Sequence, residues 1–163
     1  MKRIDKIKVH NLIDESPDTS YLGEFSDRPE TEYAIDQRER SGEDNCVLQF
    51  FNPASAVDCK DEPAEDIRRY AEQEYQRMMA LERGDWQYIG ITAVAEVAAS
   101  LDVGKTWKLD KLTSGGLWGI ESDSDQAYLQ EIIDEEKREL RAYLLEYGFT
   151  AEEIDARMGD PER

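Results

Sequence analysis

The chain has 163 residues, with 38 acids against 20 lysines and arginines and a formal net charge of -18. That balance repels nucleic acid and anionic membranes and attracts basic proteins. Apolar residues at 39% and aromatics at 9% exceed what a disordered acidic chain carries, and the length suits a single domain spanning 1–163.

The first fifteen residues open with basic side chains but hold no long apolar run, so no signal peptide is expected. No stretch approaches the roughly 20 apolar residues of a membrane span. A cytoplasmic setting is therefore expected, with Cys46 and Cys59, which form no CxxC pair, as reduced thiols. Ile4, Ile7 and Val9 predict a short first strand. Residues 14–44 hold eleven acids against three arginines and predict an irregular acidic segment. Within it, DESPDTSYLGEFSD reads as a loop pinned by Tyr21, Leu22 and Phe25. Residues 33–35 predict a short strand, and 47–51 a better one, β-branched and aromatic, closed by Asn52 and Pro53.

A helix is predicted to begin near 61–63, where Pro63 and the surrounding acids suit a first turn. Ile67, Tyr70, Ala71, Met78 and Leu81 recur at helical spacing, Glu74 interrupts the stripe, and Gly84 ends it. Residues 86–99 form the strongest predicted strand. Ile89, Ile91, Ala93, Ala95 and Val97 share one face, with Trp86, Tyr88 and Val94 on the other. A turn at 102–104 returns the chain as a strand over 106–112, which makes an antiparallel hairpin. Ser114, Gly115 and Gly116 form a bend before a short strand at 117–120.

The last third reads as helical. Ser122 to Asp125 resembles a capping box. Leu129, Ile132, Ile133, Leu140, Tyr143, Leu144 and Tyr147 make one apolar stripe, ended by Gly148. Thr150 and Glu153 form a second capping box, with Phe149 placed to staple onto Ile154. The tail after Met158 is expected to fray. The expected fold is α+β. An antiparallel sheet, a central hairpin of about 86–112 plus short strands, is packed by helices at 62–83 and 123–147 and a short C-terminal helix.

Seven acids and no base lie between positions 121 and 136. In SGGLWGIESDSD at 114–125, Glu121, Asp123 and Asp125 alternate as carboxylates do around a hard cation. Their order does not match an EF-hand loop, and acids before a helix also favour its N-terminus without any metal. The glycines are not a phosphate loop, which needs GxxxxGK[ST]. His10, the single histidine, has no nucleophile at a recognisable spacing. No catalytic residue, metal ligand or cofactor is assigned. Aromatic residues are not interleaved with lysine and arginine, so direct nucleic-acid binding is not expected.

The segments DESPDTSYLGE at 14–24, FFNP at 50–53, 70–78 followed by RGDW at 83–86, and SGGLWGIESDSD together resemble a family of small acidic proteins from bacteriophages, prophages and mobile elements. The resemblance implies a setting, not an activity. Mobile elements often encode acidic proteins that block host defence, some by imitating DNA. Along a helix, residues three or four apart lie about 4.5–6 Å apart in rise, and duplex DNA carries one charge per about 1.7 Å of axis. Glu131, Asp134, Glu135 and Glu139 are therefore expected to form an outer acidic row. With Glu121, Asp123 and Asp125 they make the expected contact surface for a basic host protein. Two alternatives stay open: an accessory protein with another partner, and a ligand or metal binder using residues 118–125.

Overall fold

The computed structural model describes residues 1–41, 48–102 and 105–158. Cys46, the first residue of the predicted 47–51 strand, part of the predicted 102–104 turn and the tail after Met158 lie outside the described residues. The architecture is α+β, with two antiparallel sheets and helices packed against them. The chain forms two compact units: Met1–Glu15 together with the chain from Gln87 onward, and Ser16–Trp86.

The first unit is built on β1 (Lys2–Ile13), β5 (Tyr88–Ser100), β6 (Trp107–Thr113) and β7 (Leu117–Glu121). The long β5 lies at the centre. β1 pairs along it on one side, and β6 and β7 share the other, all antiparallel. The predicted hairpin is β5–β6, in register from Val94 with Thr113 to Ser100 with Trp107. β1 is twelve residues long rather than a short strand, because pairing to β5 extends it past the apolar pattern and a bulge between Ile4 and Lys6 keeps it in register.

One sheet face carries α4 (Gln126–Tyr147) and α5 (Ala151–Met158). Ile4, Ala93, Ala95, Val97, Leu140, Leu144, Phe149 and Ile154 form its core, continued by Ile89, Ile91, Ile120 and Ile132. Ala93 and Ala95 are small, so the helix can lie close to the strand that carries them. Asp125 caps α4 by accepting from the Ala127 N–H at 2.8 Å. Ser122 has a different task from the predicted box, since its Oγ accepts from Gln87 N at 3.0 Å. Gly148 ends α4 at φ +96°. The Thr150–Glu153 box forms as predicted, with Thr150 N donating to Glu153 Oε2 at 2.8 Å and Glu153 N to Thr150 Oγ1 at 3.2 Å.

The second unit holds β2 (Gly23–Ser26), β3 (Ile35–Asp36) and β4 (Phe50–Pro53), ordered β2-β4-β3, with α1 (Gln37–Ser41), α2 (Ser55–Asp58) and α3 (Ala64–Glu82). Phe51 is fully buried at its centre, 5.3 Å from the Phe25 ring and 5.6 Å from Tyr75 of α3. The segment read as a pinned loop contains β2. Its four residues show no alternation, and their strand geometry comes from pairing with β4. Asn52 and Pro53 continue β4 instead of closing it. The short helices α1 and α2 and the shift of β3 to Ile35–Asp36 are also departures from the predicted pattern, all in segments too short for periodicity to register. α3 starts at Ala64 behind Pro63. Trp86 donates its indole N–H to Arg77 O at 3.1 Å under the Arg77 guanidinium. Among the described residues no helix is long and apolar enough to cross a membrane.

Candidate functional site

The SGGLWGIESDSD segment is a glycine turn, a strand and a helix cap in succession. Ser114 starts it from a buried position: its N–H donates to Ala93 O at 2.9 Å, and its Oγ accepts from Ala93 N at 2.8 Å. The next two N–H groups point at carboxylates of α4. Gly115 N donates to Glu139 Oε2 at 2.7 Å, and Gly116 N to Glu136 Oε2 at 3.0 Å. Successive backbone N–H groups in a turn make an anion cradle, and here the chain's own helix fills it. Gly116 sits at φ +79°, where a side chain is strained. Trp118 then lies flat over Gly90 of β5. A Cβ at Gly90 would fall 2.3 Å from the indole, so glycine there is what seats the ring. Trp118 keeps 49% exposure.

The expected contact residues divide by role. Glu121 closes β7 opposite Tyr88. Asp123 follows in the turn, and Asp125 is the helix cap. Glu131 is exposed on α4. Asp134 is exposed and accepts from Gln130 Nε2 at 2.8 Å. Glu135 is exposed and paired with Arg138. Glu139 does not belong to an open outer row. Its carboxylate accepts from the Tyr143 hydroxyl at 2.7 Å as well as from Gly115 N, and these two bonds hold it below the usual carboxylate range. The acidic row therefore consists of Glu131, Asp134 and Glu135. Glu136, 6% exposed, was missed by the sequence reading. Its signal was its place in the apolar stripe, four residues from both Ile132 and Leu140.

The charge is not concentrated on α4. Ser16–Trp86 carries 18 acids and 8 bases, and the rest of the chain 20 and 12. Among the described residues no group of three or more His, Cys, Asp or Glu side chains is arranged to hold a metal ion.

A second internal carboxylate lies in the other unit. Glu74 of α3, the residue that interrupts the stripe, accepts from Ser55 N at 3.2 Å and Ser55 Oγ at 2.9 Å, so it caps α2 from outside. Burial pushes its carboxyl above the usual range, the Ser55 bonds oppose this, and Asp58 adds to it. A raised folded-state value means that the folded form binds the proton more tightly than the unfolded chain. The linked stability is present below the unfolded glutamate value and is lost as pH rises through the folded one. Glu74→Gln removes that titration while keeping an acceptor for Ser55. Its stability relative to wild type is expected to increase from pH 4 to pH 7, measured by urea denaturation at both. A difference that does not move with pH would show that Glu74 has no shifted titration.

No family model, curated protein or solved structure matches the chain.

Proposed function

We propose that this is a non-enzymatic acidic binding protein of the phage or mobile-element kind, which docks on the basic, nucleic-acid-binding cleft of a host defence or DNA-processing protein. The observation that supports this reading is the outer face of α4. Glu131, Asp134 and Glu135 stand at i, i+3 and i+4 and so share one side of the helix. The opposite side is fixed to the sheet through Ile132, Leu140 and Leu144. Glu136 and Glu139 tie the same helix to the glycine turn. Charges on a rod held this way lose little freedom on binding, which favours affinity. The phage setting rests on the sequence resemblance alone.

The test is a triple reversal, Glu131→Lys, Asp134→Lys and Glu135→Lys, leaving Glu139 in place because it anchors the turn. The wild type is expected to capture a basic nucleic-acid-binding protein at low salt and to release it when the ionic strength is raised or duplex DNA is added. The triple variant, folded as judged by circular dichroism, is expected to capture none. Capture unaffected by the reversal, or unaffected by DNA, would sink the reading.

A further inference from the structure

On α3, arginines settle against a carboxylate and a ring at once. Arg40 of α1 reaches across to that helix, where its guanidinium donates to both oxygens of Glu72, Nη1 at 3.0 Å, and lies 6.0 Å from the Tyr75 ring. Glu72 and Tyr75 are three residues apart, so the helix presents them side by side. Nearer the start of α3, Arg69 bonds Asp66 at 2.6 Å and lies 5.1 Å from the ring of Tyr70, four residues after Asp66. The arrangement has a physical reason. A carboxylate takes the planar guanidinium fork through two hydrogen bonds, and the ring quadrupole attracts the same delocalised charge. A lysine ammonium is compact and strongly hydrated, and gains less from either. On α4 one carboxylate–tyrosine pair is closed: Tyr143 donates to Glu139 at 2.7 Å, and Gly115 N donates to it as well. Tyr128 and Glu131, three residues apart on the outer face, are open. Tyr128 is 48% exposed and Glu131 is exposed, and neither side chain has a hydrogen bond, ion pair or ring contact among the described residues. Glu131 is alone in this within the acidic row, since Asp134 accepts from Gln130 and Glu135 faces Arg138.

We infer that Tyr128 and Glu131 are a docking pair for an arginine of the basic partner. The guanidinium bonds the Glu131 carboxylate and lies against the exposed Tyr128 ring, as Arg40 does at Glu72 and Tyr75. This rests on the reading of the outer face of α4 as the partner surface, and it names the anchor of that surface. Arginine and tyrosine are among the side chains that carry most of the binding energy at protein interfaces. Tyr128 stands on a helix already fixed to the sheet, so its ring loses little freedom when it is covered. The carboxylates by themselves attract any cation, steer it over a distance and weaken with salt. The ring adds the discrimination, because it rewards a planar guanidinium over an ammonium. A second copy of the chain would bring its arginines against mutual repulsion, since each copy carries a net charge of -18.

The experiment uses the full chain with isotope-labelled tyrosine and glutamate, and two peptides of equal charge, one alternating glycine and arginine and one alternating glycine and lysine. Binding at low salt is followed by nuclear magnetic resonance at the Tyr128 ring and the Glu131 amide. Tyr143, 40% exposed on the same helix but bonded to Glu139, is the internal control. The arginine peptide is expected to shift Tyr128 and not Tyr143, and to bind about threefold more tightly than the lysine peptide, the scale of a cation–π contact at an exposed site. Tyr128→Phe is expected to keep that preference. Tyr128→Ala is expected to abolish it while salt-sensitive binding of both peptides continues at Glu131. Both are surface substitutions, expected to leave the melting temperature unchanged. Equal affinity for the two peptides, or a preference that survives Tyr128→Ala, would overturn the docking pair and leave the acidic-face reading standing. Absence of any shift on α4 with either peptide would overturn both. A Tyr128 resonance that moves with protein concentration alone would make a second copy the occupant and overturn the pair as a partner site.

Discussion

Leu140→Ala is expected to lower the unfolding free energy of its unit by about 2–5 kcal/mol, the range for truncating a buried aliphatic side chain. Leu140 is fully buried among Ile4, Ala93, Ala95, Leu144, Phe149 and Ile154. Two of those neighbours are alanines, which have no side chain to swing into the space. The cavity therefore stays open, which places the cost toward the upper part of that range. Leu145 is the internal control. It is adjacent on the same helix but 40% exposed, and its truncation should stay within about 0.5 kcal/mol. Urea denaturation of both variants, with the m-value checked for constancy, makes the comparison. Equal losses at the two positions would mean that α4 does not pack on β5 as described.

Gly23→Ala is the corresponding prediction for the second unit. Gly23 has φ +129°, and a Cβ there would lie 2.3 Å from Asn52 O and 2.8 Å from the Phe51 ring. Both atoms belong to β4, and one is backbone, so relief requires moving the strand at the centre of the small sheet. Overpacking of this kind costs about 1–3 kcal/mol, with the strain of a positive φ added. Gly84 is the contrast. It has φ +74° with no atom within 4 Å of the added carbon, so Gly84→Ala bears only the left-handed strain, about 1–2 kcal/mol. Faster amide exchange at Phe50, Phe51 and Asn52 in the Gly23 variant but not in the Gly84 variant is the expected signature. Comparable exchange in both would mean that β2 does not lie against β4.

Local signals determined much of this protein. The hairpin was legible because both faces of 86–99 carry apolar side chains and a turn and a second strand follow. α3 and α4 were legible because their apolar positions recur every three or four residues and end at Gly84 and Gly148. The Thr150–Glu153 box was readable in four letters, because a capping box is a contact between neighbours in the chain. Each of these carries its whole explanation within one segment.

The tertiary structure decided the rest. β2 is a strand because β4 pairs with it, and four residues have no period to display that. The long reach of β1 depends on β5, which lies about eighty positions away in the sequence. The acidic row was the most consequential case. In the sequence, Glu131, Asp134, Glu135, Glu136 and Glu139 are five acids within nine positions, with Lys137 and Arg138 among them. In the fold, Glu136 and Glu139 bind the N–H groups of Gly116 and Gly115, and Glu135 faces Arg138. Sequence can count carboxylates, but it does not show which of them are used to satisfy backbone donors. A turn whose N–H groups have no strand or helix partner must find acceptors elsewhere, and α4, packed beside it, presents two.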